Sequence, residues 1–94
     1  MEITWEVITE SRIISKTPVC AAGIILYGED TTNNTVSLYD GESTSDDLIC
    51  TIIVPDGESK LYTFIPYLVT KKGLYVSMGT GVQQLTVQYG WKRE

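Results

Sequence analysis

The side chains best able to do chemistry in this chain are carboxylates. Glu29-Asp30, Asp40-Gly41-Glu42, Asp46-Asp47 and Asp56-Gly57-Glu58 fall in short polar stretches between apolar runs. Brought together, such groups could hold calcium, which takes about six to eight oxygens, but none of them follows the EF-hand loop pattern. Two carboxylates could also serve a glycosidase, given a cleft and one raised pKa. A chain of 94 residues folded as compact β structure rarely offers a deep cleft. Acidic residues in turns most often close the turn and keep it soluble, and that is the reading taken here.

Nucleophilic chemistry fares worse. Serine and cysteine are present, but histidine is absent. That removes the commonest general base, the commonest metal ligand and the physiological-pH switch together. Lys60, Lys71 or Lys72 could act as a base only if buried. Cys20 and Cys50 both lie in apolar runs. They read as buried free thiols behaving as small hydrophobes; a disulfide between them stays open until their Cα separation is known. There is no Cys-x-x-Cys pair, and no set of ligands suited to zinc. No catalytic, cofactor-binding or metal-binding residue is expected, and the chain does not read as an enzyme.

The aromatic residues invite a different chemistry. Tyr27, Tyr39, Tyr62, Tyr67, Tyr75 and Tyr89 all sit in or beside alternating runs. On a sheet face, tyrosine can stack on a sugar or anchor a protein contact; its ordinary place is half-buried at a sheet rim. Trp5 alternates with Ile3 and Val7, which suggests packing into the core or into a neighbour. Trp91 follows the last run, where it could cap one end of the fold or dock on another subunit. Trp5, Tyr62, Tyr75, Tyr89 and Trp91 are therefore the candidate interface residues.

The elements that must position these side chains are strands. Apolar and polar residues alternate with period two in Thr35-Val36-Ser37-Leu38-Tyr39, in Leu74-Tyr75-Val76-Ser77-Met78 and in Leu85-Thr86-Val87-Gln88-Tyr89. That is the pattern of a strand with one dry face. Residues 48–54 are apolar on both faces and rich in β-branched side chains, which predicts a central strand. Strands are expected at 3–9, 12–16, 22–27, 35–39, 48–54, 60–65, 73–78 and 82–89. Asp40-Gly41 and Asp56-Gly57 mark turns, Asn33-Asn34 more weakly, and residues 29–34 and 41–47 read as polar loop tips. Gly79-Thr80-Gly81 reads as a short hairpin loop. Pro18, Pro55 and Pro66 fall at run edges, where a missing N–H costs least. Threonine is abundant, and Gly or Pro interrupts each stretch, so helix is disfavoured. The pattern indicates an all-β sandwich or barrel, and the expected fold is a single-domain antiparallel β-sandwich of about eight short strands over residues 1–94.

Charge narrows the partners. Twelve acidic residues against seven basic ones give a net charge of −5. That sign repels phosphate backbones, and the basic residues are scattered, so no nucleic-acid partner is expected. No apolar run is long enough to span a membrane as a helix. The N-terminus lacks the basic start and unbroken apolar core of a signal peptide, so synthesis in a cytoplasm without secretion is expected. A chain this short buries only about 60–65% of its unfolded surface, so association would help stabilise it.

One resemblance sharpens this reading. The order from residue 23 to residue 90 is Gly-Ile-Ile-Leu-Tyr-Gly, Val-Ser-Leu-Tyr-Asp-Gly, Leu-Ile-Cys-Thr-Ile-Ile-Val, Gly-Leu-Tyr-Val-Ser-Met-Gly-Thr-Gly and Leu-Thr-Val-Gln-Tyr. It resembles the short all-β virion proteins of tailed bacteriophages, of head-decoration or fibre type. The resemblance implies a jelly-roll-like sandwich without catalytic residues, located in a virion and made in the host cytoplasm. It implies work done by assembly, as a homo-oligomer and with other virion proteins. Outside the resemblance, residues 1–9, by their terminal position and the apolar face carrying Trp5, are the natural strand to dock or exchange. The alternative is a carbohydrate-binding or adhesion module, with a glycan stacked on exposed tyrosines, Tyr62, Tyr75 or Tyr89.

Overall fold

The computed structural model describes residues 3–28, 35–53, 59–79 and 81–91. The expected loop tip at 29–34, the Asp56-Gly57 turn, Pro55, Thr80 and the basic pair Lys92-Arg93 lie outside the described residues. Among the described residues eight strands follow one another: β1 (Thr4–Ile8), β2 (Arg12–Ser15), β3 (Cys20–Gly28), β4 (Thr35–Asp40), β5 (Asp47–Ile53), β6 (Ser59–Val69), β7 (Leu74–Met78) and β8 (Val82–Gly90). Each expected run carries one of them.

The strands form two four-stranded antiparallel sheets, ordered β1-β8-β3-β6 and β2-β7-β4-β5. The pairings are nested: β1 with β8, β2 with β7, β3 with β6 and β4 with β5. The chain thus doubles back on itself as one long ribbon, and each half of the ribbon crosses from sheet to sheet. The alternation seen in the sequence decides which side of each strand faces inward. From the second sheet, β4 contributes Val36 and Leu38, and β7 contributes Leu74 and Val76. From the first, β3 contributes Ile24 and Leu26, and β8 contributes Leu85 and Val87; all eight are buried. They belong to one core cluster shared by both sheets, so the molecule is a β-sandwich. Each such side chain stabilises the fold by about 1.5–3 kcal/mol relative to exposure.

Three expectations change in the structure. Residues 48–54 do not form a central strand: β5 is an edge strand, and Leu48 and Ile53 on its outer side are exposed. Apolar character on both faces does not decide a strand's place in the sheet, which depends on which strands pair; here only the inner side of β5 packs on the core. The Gly79–Gly81 segment is not a hairpin loop, because β7 and β8 lie in different sheets. At the end of β7 the Gly79 N–H donates to the Thr35 carbonyl at 2.7 Å, and the Gly79 carbonyl accepts from the Val82 N–H at 3.1 Å. Pro66 lies inside β6 rather than at a run edge. It is tolerated because β6 is an edge strand and its register breaks at that point. Ala21 faces Leu68 and Gly23 faces Thr63, so residues 64–67 stand opposite Ala22 alone.

Close backbone approaches fix two glycines. A Cβ on Gly23 would lie 2.7 Å from the Tyr62 carbonyl oxygen, where β3 carries its bulge against β8 and β6. A Cβ on Gly73 would lie 2.5 Å from the Ser15 carbonyl oxygen and 3.2 Å from that of Gly41. Three connections therefore converge on Gly73 at one end of the sandwich.

Candidate interaction surface

The carboxylates expected in turns are engaged in turns. Asp46 accepts hydrogen bonds from the Glu42 and Ser43 N–H groups, at 2.8 and 3.2 Å, and closes the β4–β5 hairpin loop. Asp40, at the end of β4, accepts from the N–H groups of Lys71, at 3.1 Å to Oδ1 and 3.0 Å to Oδ2, and Lys72, at 2.8 Å, and from Gly73 at 3.4 Å. It ties the β6–β7 connection to the second sheet. Desolvation acts to raise its pKa, but these N–H donors and the Lys72 charge outweigh that, and Asp40 titrates below its ordinary value. Among the described residues no three Asp, Glu or Cys side chains cluster as a metal site.

The rim between β1 and β2 is closed by polar contacts. Glu6, on the inner side of β1, pairs with Arg12 of β2 at 3.0 Å and accepts the Tyr89 hydroxyl at 3.1 Å. Burial, then the bond to Glu6 and its charge, raise the Tyr89 pKa, against a smaller opposing effect of Arg12. Further along, the Thr70 hydroxyl accepts from the Val19 N–H at 2.9 Å, and the Thr70 N–H donates back to the Val19 carbonyl at 2.9 Å. Both residues are buried. Both cysteines are free; Cys20 is buried, and desolvation raises the pKa of the Cys50 thiol, which keeps it protonated.

With the charged groups at rims and loops, the outer faces are left to other residues. Register gives the rows. On the first sheet, Val7, Thr86, Ile25 and Leu61 are successive cross-strand neighbours, and Trp5, Gln88, Gly23 and Thr63 form the next row. Gln84, Tyr27 and Ser59 make a third. Trp5 is 67% exposed and Leu61 62%, and Val7 and Ile25 are exposed beside them. On the second sheet, Ile13, Tyr75, Tyr39 and Leu48 form one continuous row. Ser77, Ser37 and Thr51 form the row beside it, with Ser37 and Thr51 hydroxyls 3.2 Å apart. Among the described residues of these rows none is charged.

The candidate interface residues do not share a face. Trp5 does not pack into the core; it points outward from β1, because Glu6 and Ile8 take the inner side. Tyr75 lies half-buried on the opposite outer face, its ring 6.3 Å from that of Tyr39 and tilted by 56°. Tyr62 faces inward from β6 and packs against the core margin. Tyr89 is a core residue and not a surface one, since β8 turns Leu85, Val87 and Tyr89 to the same side. Trp91 is half exposed and packs edge-on against Tyr89 at 5.4 Å, capping that end. Tyr62, Tyr75 and Tyr89 therefore form no common platform. Sequence reasoning passed over Val7, Ile25, Leu61 and Leu48. The available signal was that Ile24-Ile25-Leu26 is apolar on consecutive positions, so one of the three must face away from the core.

No protein-family model, no curated protein and no solved structure matches this chain. Among the described residues no helix is long and apolar enough to cross a membrane. Among the described residues, the two outer sheet faces carry uncharged side chains, several of them large, apolar and exposed, while the paired ionic groups lie at the margins.

Proposed function

We propose that this chain is a non-enzymatic assembly subunit that works by contacting copies of itself and neighbouring proteins, as a component of a virion of the tailed-bacteriophage kind, such as a capsid decoration or fibre-associated protein. The observation that carries the reading is the exposed apolar face of the first sheet, where Trp5, Val7, Ile25 and Leu61 stand among uncharged neighbours. An isolated soluble domain has little use for such a face, and a protein contact removes it from water. The nested strand pairing also suits a jelly roll, the fold that the resemblance implies. The engagement of Asp40 and Asp46 in turn-closing hydrogen bonds supports a role without acid–base chemistry.

Light scattering on the purified chain over a wide concentration range tests assembly. The expected result is a mass that rises to a small multiple of 10.5 kDa. A mass fixed at that of one chain at every concentration overturns self-assembly. Capsid, portal or tail genes beside the coding sequence are expected; their absence counts against the virion.

A further inference from the structure

The outer face of the first sheet allows a more specific statement, which rests on the assembly reading above. We infer that this face binds the same face of a second copy of the chain in a two-fold symmetric pair, with the Val7–Thr86–Ile25–Leu61 row at its centre.

Charge selects the occupant. Each copy carries a net charge of −5, so two copies repel one another wherever acidic groups meet. An oppositely charged partner would be drawn to the acid-bearing loops, such as the one holding Glu42, Asp46 and Asp47. A face whose described residues include no charge is where a like-charged copy approaches with least opposition.

Register makes the face self-complementary. A two-fold axis lying between the copies, parallel to the strands and midway between β8 and β3, exchanges β1 with β6 and β8 with β3. Val7 then meets Leu61 of the other copy, and Thr86 meets Ile25. In the neighbouring row Trp5 meets Thr63 and Gln88 meets Gly23, so each large side chain lies opposite a small one.

Area is sufficient. With Trp5 and Leu61 each about two-thirds exposed and Val7 and Ile25 somewhat less, the three rows present on the order of 500–600 Å² per copy. A symmetric pair removes about 1,000–1,200 Å² in total, at the lower margin of what a specific interface needs. The second sheet is less suited. Its central Tyr39 and Tyr75 rings lie against one another and are partly buried, and its exposed apolar residues, Leu48 and Ile53, are confined to the edge strand β5.

The test is a charge placed at the centre of the face. Ile25→Glu and Ile25→Lys are made separately, with Tyr75→Glu as the control on the opposite face, and sedimentation velocity reads the dimer dissociation constant. Circular dichroism and thermal melting confirm that each variant is folded; where an Ile25 variant is not, Leu61→Glu replaces it and is mixed with Val7→Lys, the position that Leu61 meets in the other copy. Each first-sheet variant alone is expected to raise the dissociation constant by about tenfold or more. Mixing the Glu and Lys variants in equal amounts is expected to restore pairing, because the two-fold axis sets the two Ile25 positions diagonally across from each other, on neighbouring strands, where opposite charges attract. Unchanged pairing in the first-sheet variants with loss in Tyr75→Glu overturns this inference and leaves self-assembly standing. A wild-type chain that stays single overturns both.

Discussion

Asp40 is one residue on which separate segments depend. Its carboxylate receives N–H groups from Lys71, Lys72 and Gly73, and its pKa is held below the ordinary 3.8. A depressed carboxylate pKa contributes stability that is fully present above the ordinary value and is lost as the pH falls through the folded-state value. Asp40→Asn is therefore expected to lower Tm at neutral pH. The gap between the variant and the natural chain should close as the pH drops below 3.8. Melting curves from neutral to strongly acidic pH check this; a gap that stays constant means the carboxylate charge has no part in the clamp. Thr70 plays the corresponding role in a dry setting. Thr70→Val keeps the shape but leaves the buried Val19 N–H without its 2.9 Å acceptor. Urea unfolding should show a loss of about 1–3 kcal/mol.

At the scale of strands and connections, Gly73 is the point of greatest crowding. Gly73→Ala sets a methyl group 2.5 Å from the Ser15 carbonyl oxygen, a backbone atom that cannot swing aside as a side chain would. Displacement of the β2 end is expected, at about 1–3 kcal/mol by denaturant titration. The eight strands themselves were legible in the sequence because each carries its own period-two signal, as in Val36 and Leu38 or Leu85 and Val87. Sheet membership was not. Nothing in the sequence Gly79-Thr80-Gly81 tells whether the strands on either side pair with each other; the difference lies in which distant strand β8 pairs with. The edge position of β5 was hidden for a related reason. An apolar residue type does not establish burial, and Leu48 and Ile53 on the outer side of β5 are exposed. Of the candidate interface residues, Trp5 was recognised by type but assigned without its direction. Tyr89 was misplaced because its ring reads as amphipathic until register sets it beside Leu85 and Val87 on the inner side.

For the whole molecule, the separation of charge from the broad faces predicts how assembly responds to salt. In a face-to-face pair, the centres of two copies lie about one sandwich thickness apart, which is 19 Å for this fold. Two bodies of charge −5 at that distance repel across water, with a strength set by screening. At about 0.03 M salt the screening length is close to that separation, and at about 0.5 M it is only a few ångströms, so added salt removes about 1–2 kcal/mol of repulsion. The contact itself loses nothing in exchange, because its rows hold no described ion pair. Pairing should therefore tighten by roughly tenfold over that range. Lowering the pH toward the isoelectric point near 4.5 should act in the same direction by removing net charge. The competing design, in which acidic loops of one copy grip lysines such as Lys71 and Lys72 of another, has the opposite sign, since screening weakens attraction between unlike charges. Sedimentation in a salt series separates the two: dissociation promoted by salt would assign assembly to the charged ends of the sandwich and leave the apolar face without a role in it.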